Sequence, residues 1–163
     1  MKKNQLQKTE TEKRKNSFVV VCHNIRSAYN IGSVFRTADG AGVAKVYLTG
    51  YTPAPPHPGI SKTALGAEKI VGWEKFSKLD TMIERLKKEN FQIIALEQNK
   101  KSVPLGSFKP KGKIALILGN EVRGLSKGTL AKCDRVVEIP MHGKKESLNV
   151  SVAFGIAAYS INS

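Results

Sequence analysis

The sequence predicts an α/β domain: a mainly parallel β-sheet covered by helices. Two apolar runs, Phe91–Leu96 and residues 114–118, are almost continuously hydrophobic instead of alternating, the pattern of strands buried on both faces of a parallel sheet. Such runs alternate along the chain with segments of helical periodicity, as βαβ units require. The length of 163 residues suits one domain with one substantial core, and no internal repeat divides it.

In chain order, residues 18–22 form a β-branched strand signal, and Ile31, Val34, Phe35 and Ala38 then recur at helical spacing after Asn30. A second strand is expected over residues 45–48. Residues 50–59 carry four prolines and read as loop, since proline supplies no ladder donor and stops helices. Ser77 is placed to cap a helix over Leu79–Lys88, whose Leu79, Met82, Ile83 and Leu86 make one apolar face. After the two buried strands, a further strand is expected at residues 136–139, with a short helix at 126–133 before it. From Leu148 onward, Val150, Ala153, Phe154, Ala157 and Ala158 make a final helix.

Charge narrows the partners. Lys and Arg number 27 against 13 Asp and Glu, a formal +14. The first fifteen residues carry +4 of this, which leaves +10 on the remainder. A body this basic favours a polyanion such as RNA, DNA or an anionic membrane face. The segment 1–16 reads as a basic, flexible tail or nucleic-acid-binding arm, and 17–163 as the domain. Cys22 and Cys133 lie far apart without metal-ligand spacing, so no metal site and no disulfide framework is expected. The apolar runs are strand-length and no secretory h-region follows the lysine-rich start, which points to a cytoplasmic protein rather than a membrane or secreted one.

Ligands of open α/β sheets bind at the carboxyl ends of the strands. Three polar clusters follow strand signals there. The first runs from His23 to Ala38 and contains Asn30 and, six positions on, Arg36, off the apolar stripe. Capping by Asn30 and pairing of Arg36 with Asp39 would explain it structurally. The second, Leu118-Gly119-Asn120-Glu121-Val122-Arg123-Gly124, has the strand-to-helix setting of a nucleotide loop but lacks its glycine fingerprint. A carboxylate at Glu121 would repel a pyrophosphate. It is far less of an obstacle to S-adenosylmethionine, which has no phosphate and carries a cationic sulfonium. The third cluster, Ile139-Pro140-Met141-His142-Gly143-Lys144-Lys145-Glu146-Ser147-Leu148-Asn149-Val150, leads from a strand into the final helix, where Ser147 and Asn149 can also serve as caps.

Each cluster alone has a structural explanation; their order does not. Asn-x5-Arg, then Leu-Gly-Asn-Glu-x2-Gly, then Ile-Pro-Met-x-Gly-x3-Glu-Ser-Leu-Asn-Val-Ser resembles the three motifs of the SpoU (TrmH-like) RNA ribose 2′-O-methyltransferases of the SPOUT superfamily, from about Asn24 to the end. The resemblance implies a C-terminal trefoil knot, a homodimer and S-adenosyl-L-methionine as cofactor. Carried over by motif, Gly119, Ile139 and Leu148 would hold the cofactor by backbone groups, with Met141 and Ser147 nearby. Arg36 would be catalytic, supported by Asn30, with Glu121, Ser147 and Asn149 completing the site.

An RNA substrate agrees with the basic body, and the ribose 2′-hydroxyl is what distinguishes RNA from DNA. Arg26, Lys62, Lys69, Arg123, Lys144 and Lys145 are the loop cations expected at phosphates, and the absence of an obvious added RNA-binding domain favours tRNA over rRNA. Two rival readings are an RNA-binding protein or assembly factor of the same fold without transfer activity, and a Rossmann-type oxidoreductase, which the missing glycine fingerprint disfavours.

Overall fold

The computed structural model describes residues 17–163; the basic segment 1–16, and with it the expected tail or arm, lies outside the described residues. Seven strands form one sheet, with every pairing parallel: β1 (Phe18–His23), β2 (Lys45–Thr49), β3 (Gly72–Phe76), β4 (Phe91–Leu96), β5 (Val103–Pro104), β6 (Lys113–Leu118) and β7 (Arg135–Glu138). Their order across the sheet is β3-β2-β1-β6-β4-β7-β5.

Side chains of a strand alternate between its faces, and β1 shows why its run is unbroken. Val20 and Cys22 enter one core with Phe35, Leu48 and Phe154. Val19 and Val21 enter a second core, with Met82, Ile83 and Ile117. Helices α1 (Ala28–Ala41), α2 (Pro58–Ala64) and α5 (Val150–Ile161) hold the first layer. Helices α3 (Leu79–Lys88) and α4 (Lys127–Lys132) cover the opposite face. Phe154 is wholly buried, and truncating it to alanine would cost about 3–5 kcal/mol.

Four local expectations change. Lys78, not Ser77, occupies the N-cap of α3 and makes no side-chain cap bond, so the helix rests on its apolar face. The proline-rich stretch is loop only as far as His57, which accepts from the Gly59 N–H and starts α2 with Pro58 in its first turn, where a missing N–H costs nothing. Strand β3 carries Glu74 and Lys75 in an edge position, and β5 is only two residues long, so neither announces itself by hydrophobicity. Finally, Ser27 caps α1: its side chain accepts from the Asn30 N–H at 3.2 Å, which places Asn30 inside the first turn.

Candidate active site

Because every strand is parallel, all carboxyl ends share one edge of the sheet. From β1 the chain proceeds outward to β2 and β3, whereas β6, β4, β7 and β5 lie on its other side. Connections leave the two sides of that switch in opposite directions, which opens a crevice at the carboxyl edge. A cavity of about 340 Å³ lies along this carboxyl edge, on the β6 side of the switch, beyond the ends of β4, β6 and β7.

The loop after β6 forms one wall. A β-carbon on Gly119 would fall 2.7 Å from the Gly124 carbonyl carbon and 2.9 Å from the Leu125 nitrogen, so only glycine lets the chain double back this tightly. Asn120 fixes the turn: its Oδ1 accepts from the N–H groups of Val122 (2.9 Å) and Arg123 (2.8 Å), and its carbonyl accepts from Gly124 (2.9 Å).

Glu121 then reaches back to the start of α1. Its carboxylate accepts from the N–H groups of Arg26 and Ser27, both at 3.0 Å, and from the Asn30 side-chain amide at 3.3 Å. Anions are stabilised at helix N-termini by unpaired N–H groups and the helix dipole. Partial burial raises the carboxyl pKa; the N–H donors of Arg26, Ser27 and Glu121 itself and the Asn30 amide outweigh it and hold the group below its usual range. Glu121 is therefore an ionised strut joining the second motif to the first.

Asn30 relays this link to the third motif. Its Oδ1 accepts from Asn149 Nδ2 at 3.1 Å, while Asn149 Oδ1 caps α5 through the Ser151 N–H (2.9 Å) and Ser151 Oγ (2.6 Å). One chain of polar side chains, Glu121, Asn30 and Asn149, thus ties together segments about 90 to 120 residues apart in sequence. Gly119, Ile139, Met141, Ser147 and Leu148, the five residues the resemblance assigns to the cofactor, all line the cavity. So do Asn30, Glu121 and Asn149.

Arg36 is not among the lining residues. Six residues at 1.5 Å each put it about 9 Å along α1 from Asn30, and 100° per residue turns it well away from Asn30's side. It is exposed, and among the described residues it makes no hydrogen bond or ion pair, with Asp39 or any other group. Arg26, Arg123, Lys69, Lys144 and Lys145 are exposed too, and Lys62 lies over the Tyr29 ring at 5.9 Å.

The cavity's charge opposes that of the chain. Glu97, Glu121 and Glu138 line it, together with backbone and amide groups, and no lysine or arginine does. In a chain of +14, a cation-free acidic pocket suits a ligand with positive charge and without phosphate. Burial, with a lesser contribution from Glu121, pushes the Cys22 thiol up to about 12, so this thiol is a poor nucleophile near neutral pH. His23, half-buried with Nδ1 2.9 Å from Thr49 Oγ1, is shifted down by burial, against an opposing pull from Asp80, and stays neutral near pH 7.

Sequence reading missed Glu97, Gln98, Asn120 and Glu138 as lining residues, although Glu97 and Gln98 directly follow β4 and the carboxyl-end rule pointed to them. No helix of the described residues is long and apolar enough to cross a membrane.

Comparison with known proteins agrees with this geometry. The tRNA (guanosine(18)-2′-O)-methyltransferase of Aquifex aeolicus is 34% identical over 155 residues, 91% of this chain and 70% of that protein. The 23S rRNA (guanosine-2′-O-)-methyltransferase of Coxiella burnetii is 30% identical over 156 residues, 96% of this chain but only 60% of that protein. Among solved structures, the AdoMet-bound rRNA methyltransferase from Sinorhizobium meliloti superposes with a TM-score of 0.81 at 25% identity, over 88% of this chain and 55% of that one. The model of the SpoU rRNA Methylase family matches residues 17–159, and the chain, with its three motifs meeting around one pocket, belongs to that family.

Proposed function

We propose that this chain transfers a methyl group from S-adenosylmethionine to a ribose 2′-hydroxyl of RNA, acting as a homodimer. The observation that carries the proposal is the acidic, cation-free pocket on which the three motifs converge. When bound, the cofactor supplies the methyl group on a sulfonium centre, the charge the acidic lining favours. Backbone at Gly119, Ile139 and Leu148 would hold the adenosine part, and the strut of Glu121, Asn30 and Asn149 keeps the walls in register. Positioning of the two reactants supplies several kcal/mol of the barrier.

Arg36 would act on the pocket of the other protomer. Supporting this are its exposed place outside its own pocket and the exposed apolar residues of α5, the helix packed against α1. On α5, Val152, Ile156 and Tyr159 are all more than two-fifths exposed and follow one another at helical spacing, and the Tyr159 hydroxyl lies 2.9 Å from where a β-carbon on Gly40 of α1 would stand. A second copy covering this face would bury them. A guanidinium is cationic and would stabilise the alkoxide that develops as the 2′-hydroxyl loses its proton to solvent or phosphate. In this reading the C-terminal segment after β7 is threaded as a trefoil knot, supported by the family membership and by the return of residues 139–149 past the pocket into α5. The favoured substrate is tRNA, supported by the similarity to the Aquifex enzyme, of which the chain spans the larger share.

Incubation with isotopically labelled S-adenosylmethionine and separate pools of bulk tRNA and rRNA, followed by digestion to nucleosides, tests this. Labelled 2′-O-methylnucleosides from tRNA are expected. Tight RNA binding without labelled product would support the non-catalytic rival, and calorimetric binding of NAD instead of S-adenosylmethionine would contradict the cofactor.

A further inference from the structure

A second cavity adjoins the first. It is an open groove that shares Asn30, Asn120, Glu121 and Val122 with the acidic pocket and adds Arg26, Tyr51 and Arg123. Its apolar members stand open to solvent: Val122 is 92% exposed and Tyr51 60%.

Tyr51 is exposed yet held at both ends. Its N–H donates to Asn24 Oδ1 at 3.1 Å, and its hydroxyl accepts from Asn120 Nδ2 at 2.9 Å. The same amide nitrogen donates to the Asn24 carbonyl at 2.9 Å. Two left-handed residues shape this junction, Asn24 (φ 52°) and Gly50 (φ 64°), and a β-carbon on Gly50 would meet Asn24 Oδ1 at 1.9 Å. A left-handed asparagine costs conformational energy and a pinned side chain costs entropy, so an exposed ring fixed this way is preorganised for something that covers it.

We propose that this groove receives the nucleobase of the RNA nucleotide whose ribose is modified, with the base stacked on the Tyr51 ring and Val122 beside it. The proposal rests on the methyltransferase reading and deepens it. Single-stranded nucleotides are recognised by aromatic platforms flanked by cations, and every base has a π-face. Arg26 and Arg123 provide the cations: both are exposed, and among the described residues neither side chain has a hydrogen bond or ion pair. The wall shared with the acidic pocket brings the sugar of a base seated here next to the methyl donor. The Asn120 side chain couples the two cavities, since it shapes the wall of one and fixes the ring of the other.

Fluorescence of Tyr51→Trp tests stacking directly, with the wild type giving the background of the chain's single tryptophan, Trp73. Oligouridylate is expected to quench the new emission saturably, and inorganic polyphosphate to leave it unchanged. Equal responses to the two, or none, would overturn the assignment. In parallel, Tyr51→Ala should raise the Kd for bulk tRNA roughly tenfold, with Tyr51→Phe, which keeps the ring and loses only the Asn120 bond, clearly less impaired, and with the S-adenosylmethionine affinity of both variants within about twofold of wild type. A Phe variant as impaired as the Ala variant would assign Tyr51 a purely structural role and also overturn the proposal. If the wild type methylates RNA while Tyr51→Ala binds tRNA normally, the subsite is wrong and the activity stands. If oligouridylate quenches the Trp variant but the wild type yields no methylated ribose, the subsite stands and the activity does not.

Discussion

The N-terminus and the middle of helix α1 are furnished very differently. At its N-terminus the backbone donors of Arg26 and Ser27 and the Asn30 amide are met by Glu121, and Asn30 is in turn met by Asn149, all within one chain. Two turns on, Arg36 projects from the same helix with no partner among the described residues, and α5, which packs against α1, leaves Val152, Ile156 and Tyr159 uncovered. On the proposed reading, one protomer holds the cofactor pocket and its partner supplies the guanidinium that completes the reaction site. Binding and chemistry should be separable by mutation along this line.

The largest separation is expected at Arg36. Arg36→Ala should lower methyl transfer by 100-fold or more, in the range found on removing one charge-stabilising donor, with the S-adenosylmethionine Kd within about twofold. A comparable loss of cofactor affinity in calorimetry would make Arg36 a binding or folding residue. Next, Ile156→Asp on the uncovered face should yield a monomer in sedimentation that has lost at least about tenfold in transfer but still binds the cofactor. A dimeric, active variant would remove this face from the assembly.

Effects at the N-terminal junction should fall instead on stability and cofactor binding together. Glu121→Ala strands several N–H donors, and allowing for its exposure we expect a loss of about 1–2 kcal/mol in denaturant unfolding, with weaker cofactor binding. The smallest effect is the pH dependence of that strut. A carboxyl whose folded pKa lies below its ordinary 4.5 adds stability that is fully present above 4.5 and is lost as pH falls through the folded value. The stability gap between wild type and Glu121→Gln should therefore be flat from neutral pH to about pH 5 and shrink below it. A gap that widens on acidification would contradict the ionised strut.

The same contrast marks what the sequence made legible. Strands β1, β4 and β6 are continuous apolar runs because both faces of each are buried, so composition alone located them. Strand β3, at an edge with Glu74 paired to Lys45 and Arg85, carries no such pattern, and α2 was hidden by the prolines that start it. Within the site, Gly119, Ser147, Leu148 and Asn149 were visible as motif residues at a strand's carboxyl end. The job of Glu121 was not, because the N–H groups it serves lie about 95 residues away. Tyr51 was invisible for a related reason: a single aromatic in a loop acquires meaning only when Asn24 and Asn120, from two other strand ends, are seen to fix it.

The proposed division of labour between protomers is tested most directly by complementation. Arg36→Ala keeps the pocket and loses the guanidinium, whereas Gly119→Val forces apart the loop that forms one wall of the pocket and keeps Arg36. Co-expressed, the two inactive variants should recover about a quarter of wild-type methyl transfer, since half the dimers are mixed and each holds one intact composite site. Activity no higher than that of either variant alone, in a sample shown to contain mixed dimers, would place Arg36 and the pocket it serves in the same chain and contradict the account.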